Sequence, residues 1–202
     1  MTKSIIALLI VAVLLISGCV QSPPSAPAAV PEPVKTISQT QTQGAGHIGT
    51  ADSIYISLKQ FSGKADSIAT DKYPDACLIS AISRSVASVQ DGKGDDWSYK
   101  YYSKLQNKAL TVEVQTRQTA GSFDVYAKTT DNVVVFKDEP YKKCVQLAGD
   151  VDSTDAAKSV AGLSGPVTIS LENNAELLRD EYEFATNTKS VRVNAVTGDV
   201  LT

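Results

Sequence analysis

The chain has 202 residues, 43% of them hydrophobic, with 19 basic and 22 acidic side chains and a net charge of −3. Neutralising nucleic-acid phosphates takes clustered Lys and Arg, and no such cluster stands out, so the balance argues against a nucleic-acid partner. The single histidine, His47, falls in a stretch rich in Gln and Gly. Neither a Ser-His-Asp nor a Cys-His pair can therefore be assembled on a rigid scaffold. The expectation is a non-enzymatic protein with no catalytic residues, no metal and no cofactor. In chain order, Lys3 precedes the apolar run Ile5 to Ile16, which ends in Ser17-Gly18-Cys19. A basic start, an apolar run of about 7–15 residues and small residues at the exit read as a signal peptide over residues 1–18. A spanning helix would need ~20 apolar residues, and Pro23-Pro24 follow the run too soon for one.

The segment Ile16-Ser17-Gly18-Cys19 resembles the lipobox of prokaryotic lipoproteins. That resemblance implies a diacylglyceryl group on the Cys19 sulfur, with Cys19 as the first residue of the mature chain. Two acyl chains, at about 0.8 kcal/mol per buried CH2, hold a protein on a membrane where one would be marginal. The expected location is a cell membrane, lipid-anchored and facing the extracytoplasmic side. Residues 19–50 are rich in Pro, Ser, Gln and Gly, and Pro23, Pro24, Pro27, Pro31 and Pro33 supply five of the eight prolines. With little apolar surface to set against the entropy of ordering, the stretch reads as a disordered tether. Its reach is roughly 30 Å as a coil and up to ~90 Å as polyproline II.

The remaining ~150 residues suffice for one domain or two small ones. We divide them into a first α+β half over residues 51–146 and a second over 147–202. Ser53 to Tyr73 carries apolar residues near helical spacing, interrupted at Ser62-Gly63 and stopped by Pro74, so a helix broken near Gly63 is expected. Cys77 to Val89 reads as a strand with a shift of parity, and Asp91-Gly92-Lys93-Gly94-Asp95-Asp96 as a turn. Period-2 alternation then predicts strands at Trp97-Tyr99-Tyr101, Leu110-Val112-Val114 and Phe123-Val125-Ala127. With Cys19 lipidated, Cys77 and Cys144 remain as a pair, and two thiols outside the cytoplasm are expected to be bonded. Redox chemistry is not indicated, since the chain lacks Cys-x-x-Cys.

The last third repeats this plan. Asp152 and Ser153 are N-cap candidates for a short helix through Ala156 and Ala157, and strands are predicted at Val167-Ile169-Leu171, Tyr182-Phe184 and Val191-Val193-Ala195. Ser190-Val191-Arg192-Val193-Asn194-Ala195-Val196-Thr197-Gly198-Asp199-Val200-Leu201 resembles the closing segment of PepSY domains. The likeness covers about residues 147–202, with Asn194 where the family usually has Asp. A weaker version runs over 51–116 without the Thr-Gly ending. The resemblance implies two helix-plus-antiparallel-sheet halves after a disordered tether, and a role in binding or restraining peptidases or other envelope proteins.

Two acidic segments lose to simpler readings. Asp150 to Asp155 begins like a calcium loop, but glycine is missing at the sharp turn and position twelve is Ala161, so helix capping is the better account. Asp91, Asp95 and Asp96 read as a hairpin turn. Tyr99, Tyr101 and Tyr102 stand out as candidate protein-binding anchors, because tyrosine is favoured at interfaces. The function expected is a membrane-anchored lipoprotein acting as a non-enzymatic protein-binding or regulatory module towards an unknown envelope protein. The alternative is a carrier of a small ligand or lipid.

Overall fold

The computed structural model describes residues 41–86, 91–133, 144–174 and 177–202. The expected signal peptide, Cys19 and the part of the expected tether up to residue 40 lie outside the described residues. Ten antiparallel strands dominate: β1 Gln41–Thr42, β2 Gly46–Ala51, β3 Cys77–Val86, β4 Asp96–Ser103, β5 Lys108–Thr119, β6 Ser122–Val133, β7 Val167–Asn174, β8 Arg179–Ala185, β9 Ser190–Asn194 and β10 Val200–Leu201. Two helices are described, α1 Ser62–Lys72 and α2 Ser153–Ala157.

The expectation of two helix-plus-sheet halves is corrected. The strands form one continuous sheet in the order β1-β6-β5-β4-β3-β7-β8-β9-β10, with β2 beside β1 along the outer edge of β6. The joint is the antiparallel pair β3–β7, in which Ala81 lies opposite Leu171 and Ser83 opposite Ile169. The physical reason is the open edge. A four-stranded meander ending at β3 leaves a row of unpaired backbone groups, and β7 presents the matching row. Pairing them satisfies both and merges the apolar faces into one core holding Trp97, Tyr99, Val112, Ile169, Leu171, Tyr182 and Phe184. Alternation fixes which residues enter it, since a strand offers every second side chain to one face.

The boundary at residue 50 is corrected as well. Residues expected in the tether form β1 and β2, pairing Gln41 with Asp131 and His47 with Tyr126. His47, expected as a solvated linker residue, is exposed but lies in β2, where it packs edge-on against Tyr126 at 5.6 Å between centroids and approaches Asp124 at 3.6 Å.

Tertiary contacts also shortened the first helix. The predicted start at Ser53 fails because the amides that a helix would use have partners elsewhere. Ile56 N donates to Gly94 O (2.8 Å), Leu58 N to Ser153 Oγ (3.0 Å) and Lys59 N to Asp152 Oδ1 (3.1 Å). Residues 52–61 therefore run as a strap over the core, burying Ile56, Leu58 and Phe61, and α1 begins after it. The helix ends as expected, with Tyr73 N bonded to Ala69 O and Pro74 unable to continue. The Lys72 ammonium in the last turn reaches Asp131 of β6 at 2.6 Å. The parity shift in β3 is present as register shifts between Leu78 and Ser80 and between Ser83 and Val86.

Candidate functional site

The three tyrosines singled out as binding anchors are interior. Tyr99, Tyr101 and Tyr102 are 0%, 2% and 4% exposed, so as surface anchors they are ruled out. Each hydroxyl is spent inside the fold: Tyr99 donates to Leu58 O (2.6 Å), Tyr101 to Asp66 Oδ1 (2.6 Å) and Tyr102 to Asn107 Oδ1 (2.9 Å). Trp97 does the same through Nε1 to Ile56 O at 2.9 Å. The aromatic-rich strand β4 is thus the floor on which the strap and α1 lie. Burial pushes the Tyr99, Tyr101 and Tyr182 phenols far above their ordinary range, and neighbouring carboxylates add to it, so all three remain neutral.

Cys77 and Cys144 are bonded, with Cα atoms 5.6 Å apart. Cys77 opens β3, and Cys144 is the first described residue of the segment leading to α2. The next residue, Val145, donates its N–H to Leu78 O at 2.8 Å. The bridge therefore pins this connection to the strand at the middle of the sheet.

The Gly-rich turn before β4 is a packing joint. Gly92 sits at φ +58°, and a Cβ there would lie 2.3 Å from Ser153 O and 2.8 Å from Thr154 Cα. Gly94 forms a two-bond bridge with Ile56. The turn reaches from the sheet onto the first turn of α2, which Asp152 caps by accepting from Ser153 N (2.7 Å). No group of three or more His, Cys, Asp or Glu suited to a metal occurs among the described residues.

The two margins of the sheet differ. Beside β6 the edge is covered by β1 and β2. At the other margin β10 has two residues and covers only Arg192 and Val193 of β9. An open groove of about 490 Å³ lies there, bordered by Leu177, Val191, Val200 and Leu201, with Arg179 and Arg192 beside it. Leu177 and Val200 are exposed by 55% and 43%. Arg179 Nε donates to Glu181 of β8 at 2.8 Å, while the more exposed Arg192 Nε lies 3.9 Å from Glu183 of the same strand, beyond hydrogen-bond reach. A second open hollow of about 130 Å³ adjoins it on the polar face, between Ser170, Glu172, Glu183 and Arg192. The sequence signal for this margin was present in the apolar ends Leu177-Leu178 and Val200-Leu201. Their exposure depends on the strand order, which periodicity alone does not give.

No protein-family model matches the chain, and comparison with curated proteins and with solved structures returns no match.

Proposed function

We propose that the protein is a lipid-anchored, non-enzymatic binding module that takes an extended peptide segment of an envelope protein along the β9–β10 margin. The observation that carries this reading is the asymmetry of the sheet. One margin ends in β1 and the six-residue β2, while the other ends in a two-residue strand next to a mixed groove in which Leu177, Val191, Val200 and Leu201 stand among polar residues. An edge strand offers main-chain groups to an added strand, and alternate pockets select its side chains. Leu177, Val191 and Val200 would receive apolar residues of the partner, and Arg179 and Arg192 would favour acidic residues beside them. Anchorage through Cys19 and reach through residues 20–40 rest on the sequence. A tether that matches the distance to its target gives an effective concentration of order mM, so a weak edge contact suffices. The carrier alternative has less support, since both hollows described above are open to solvent rather than enclosed.

The test is photo-crosslinking in intact cells from residue 191 or residue 200, with residue 126 on β6, in the distant half of the sheet, as control. The reading expects a protein adduct from the first two positions that is lost when Arg179 and Arg192 are both changed to Glu. Adducts equally strong from residue 126, or none from the β9–β10 margin, would reject it.

A further inference from the structure

Where the connection from Cys144 reaches α2, two carboxyl groups are buried against each other. Asp150 is 6% exposed, and neither of its carboxyl oxygens meets a hydrogen-bond donor. Its side-chain neighbour is Asp180 of β8, 5% exposed, each of whose oxygens already has one donor: Gln146 N donates to Oδ2 (2.7 Å) and Asn173 Nδ2 to Oδ1 (2.6 Å). Two buried carboxyls in contact with no donor between them need a proton to share, because two adjacent carboxylates cannot both stay charged away from water.

We propose that Asp150 and Asp180 hold one proton between them and form an acid-closed latch fastening the connecting segment and α2 to the sheet. In the closed state the Asp150 carboxyl donates its O–H to the Asp180 carboxylate. On opening, that proton passes to solvent and two facing carboxylates remain. The latch lies where other ties converge. Val151 N donates to Ala195 O (2.6 Å), the Tyr182 hydroxyl donates to Val151 O (2.9 Å), and α2's cap Asp152 receives Lys59 N (3.1 Å). Release at Asp150 would therefore loosen α2, the strap at Leu58-Lys59 and the β9–β10 turn together.

The groups facing the pair are Lys59 from the strap and the Tyr182 phenol from the sheet, and Asp152 from the cap of α2 and the Tyr99 phenol in turn face Tyr182. The phenols stay neutral. The Lys59 ammonium donates to the main-chain oxygen of Asp150, and its charge only partly offsets burial and the Asp180 charge. Together these hold the Asp150 carboxyl well above the carboxylate range, pushed up to about 7. The sign follows from linkage. Between about pH 4 and about pH 7 the folded chain carries a proton that the unfolded chain has released, so stability falls as pH rises across that window and levels off above it. A divalent cation is the competing occupant. It is disfavoured because the Lys59 ammonium, bonded to the Asp150 main-chain oxygen, already places a positive charge beside the pair and because Asn173 turns its NH2, not its carbonyl, towards Asp180.

The experiment is urea unfolding of the disulfide-bonded mature protein and of Asp150→Asn from about pH 5 to about pH 8. Each is measured with EDTA and again with calcium and magnesium in excess. The asparagine keeps the shape and supplies a permanent donor. Its midpoint should match or exceed that of the wild type near pH 8, with the difference between the two shrinking or reversing as pH falls. Amide exchange over residues 146–157 of the wild type should quicken in the same window, beyond the intrinsic effect of pH. If Asp150→Asn does not fold, loss of the protonated-carboxyl infrared band of the wild type between about pH 6 and about pH 8 provides the readout. A difference between the two proteins that is independent of pH, or a protonated band absent at about pH 6, overturns the latch. So does a wild-type midpoint near pH 8 that rises with the cations while that of Asp150→Asn does not, which would assign the pair to a metal.

Discussion

Tyr101 shows how one side chain can be read two ways. An aromatic-x-aromatic strand can dress a surface or floor a core, and in this fold its hydroxyl is bonded to Asp66 on α1. Removing only that hydroxyl, Tyr101→Phe, should cost about 1 kcal/mol. Truncating Tyr99, which fills the centre of the core, should cost roughly 3–5 kcal/mol. Urea titrations of the two variants check the order. Gly92 offers a sharper test, because its φ is positive and an added methyl would sit 2.3 Å from the Ser153 carbonyl oxygen, leaving no room for a side chain. Gly92→Ala should destabilise by roughly 2–4 kcal/mol, whereas Gly121→Ala, at φ +95° with nothing within 4 Å, should cost only about 1 kcal/mol. Equal midpoints for the two variants would contradict the joint between this turn and α2. Asp75 supplies the acid-side counterpart to Asp150. The Leu105 amide and the Ser103 hydroxyl hold its carboxyl below the usual range, so its contribution is present above about pH 4 and is lost on acidification. In Asp75→Asn the loss of midpoint relative to wild type should shrink as pH falls.

At the scale of elements, the alternation at Val112-Val114, Ile169-Leu171 and Tyr182-Phe184 was legible because each strand puts one face in water and the other in the core. The stop at Pro74 and the cap at Asp152 were legible because local chemistry sets both. The start of α1 was not, since the strap's amides bond to Gly94, Ser153 and Asp152, and two of these lie about a hundred residues away. Nor was the β3–β7 joint, because strand neighbours are chosen by edges and not by the pattern within a strand. The Cys77–Cys144 bridge bears directly on that joint. It spans 67 residues, and in the chain-entropy model such a loop is worth roughly 4 kcal/mol. Reduction should lower the urea midpoint accordingly, and because the bridge holds the connection against Leu78, amide protection at Val145 should fall before that of β5. A midpoint unchanged by reductant would contradict this assignment.

At the scale of the described molecule, a single sheet has one margin extended by β1 and β2 and one margin left short at β10. The candidate binding surface was illegible for the same reason as the joint: Leu177 and Val200 are distant in the chain and meet at a margin only once β7 to β10 have been ordered. The proposal joins this margin to a membrane anchor at Cys19 through a spacer. Its most direct measurement is the yield of the residue-200 crosslink in cells when residues 20–40 are cut to about five, with folding and membrane recovery of the variant verified. The account predicts that the adduct seen with the full spacer falls several-fold, while the sheet and its disulfide are unchanged. An undiminished adduct would contradict it, as would full yield from a Cys19→Ser chain released from the membrane.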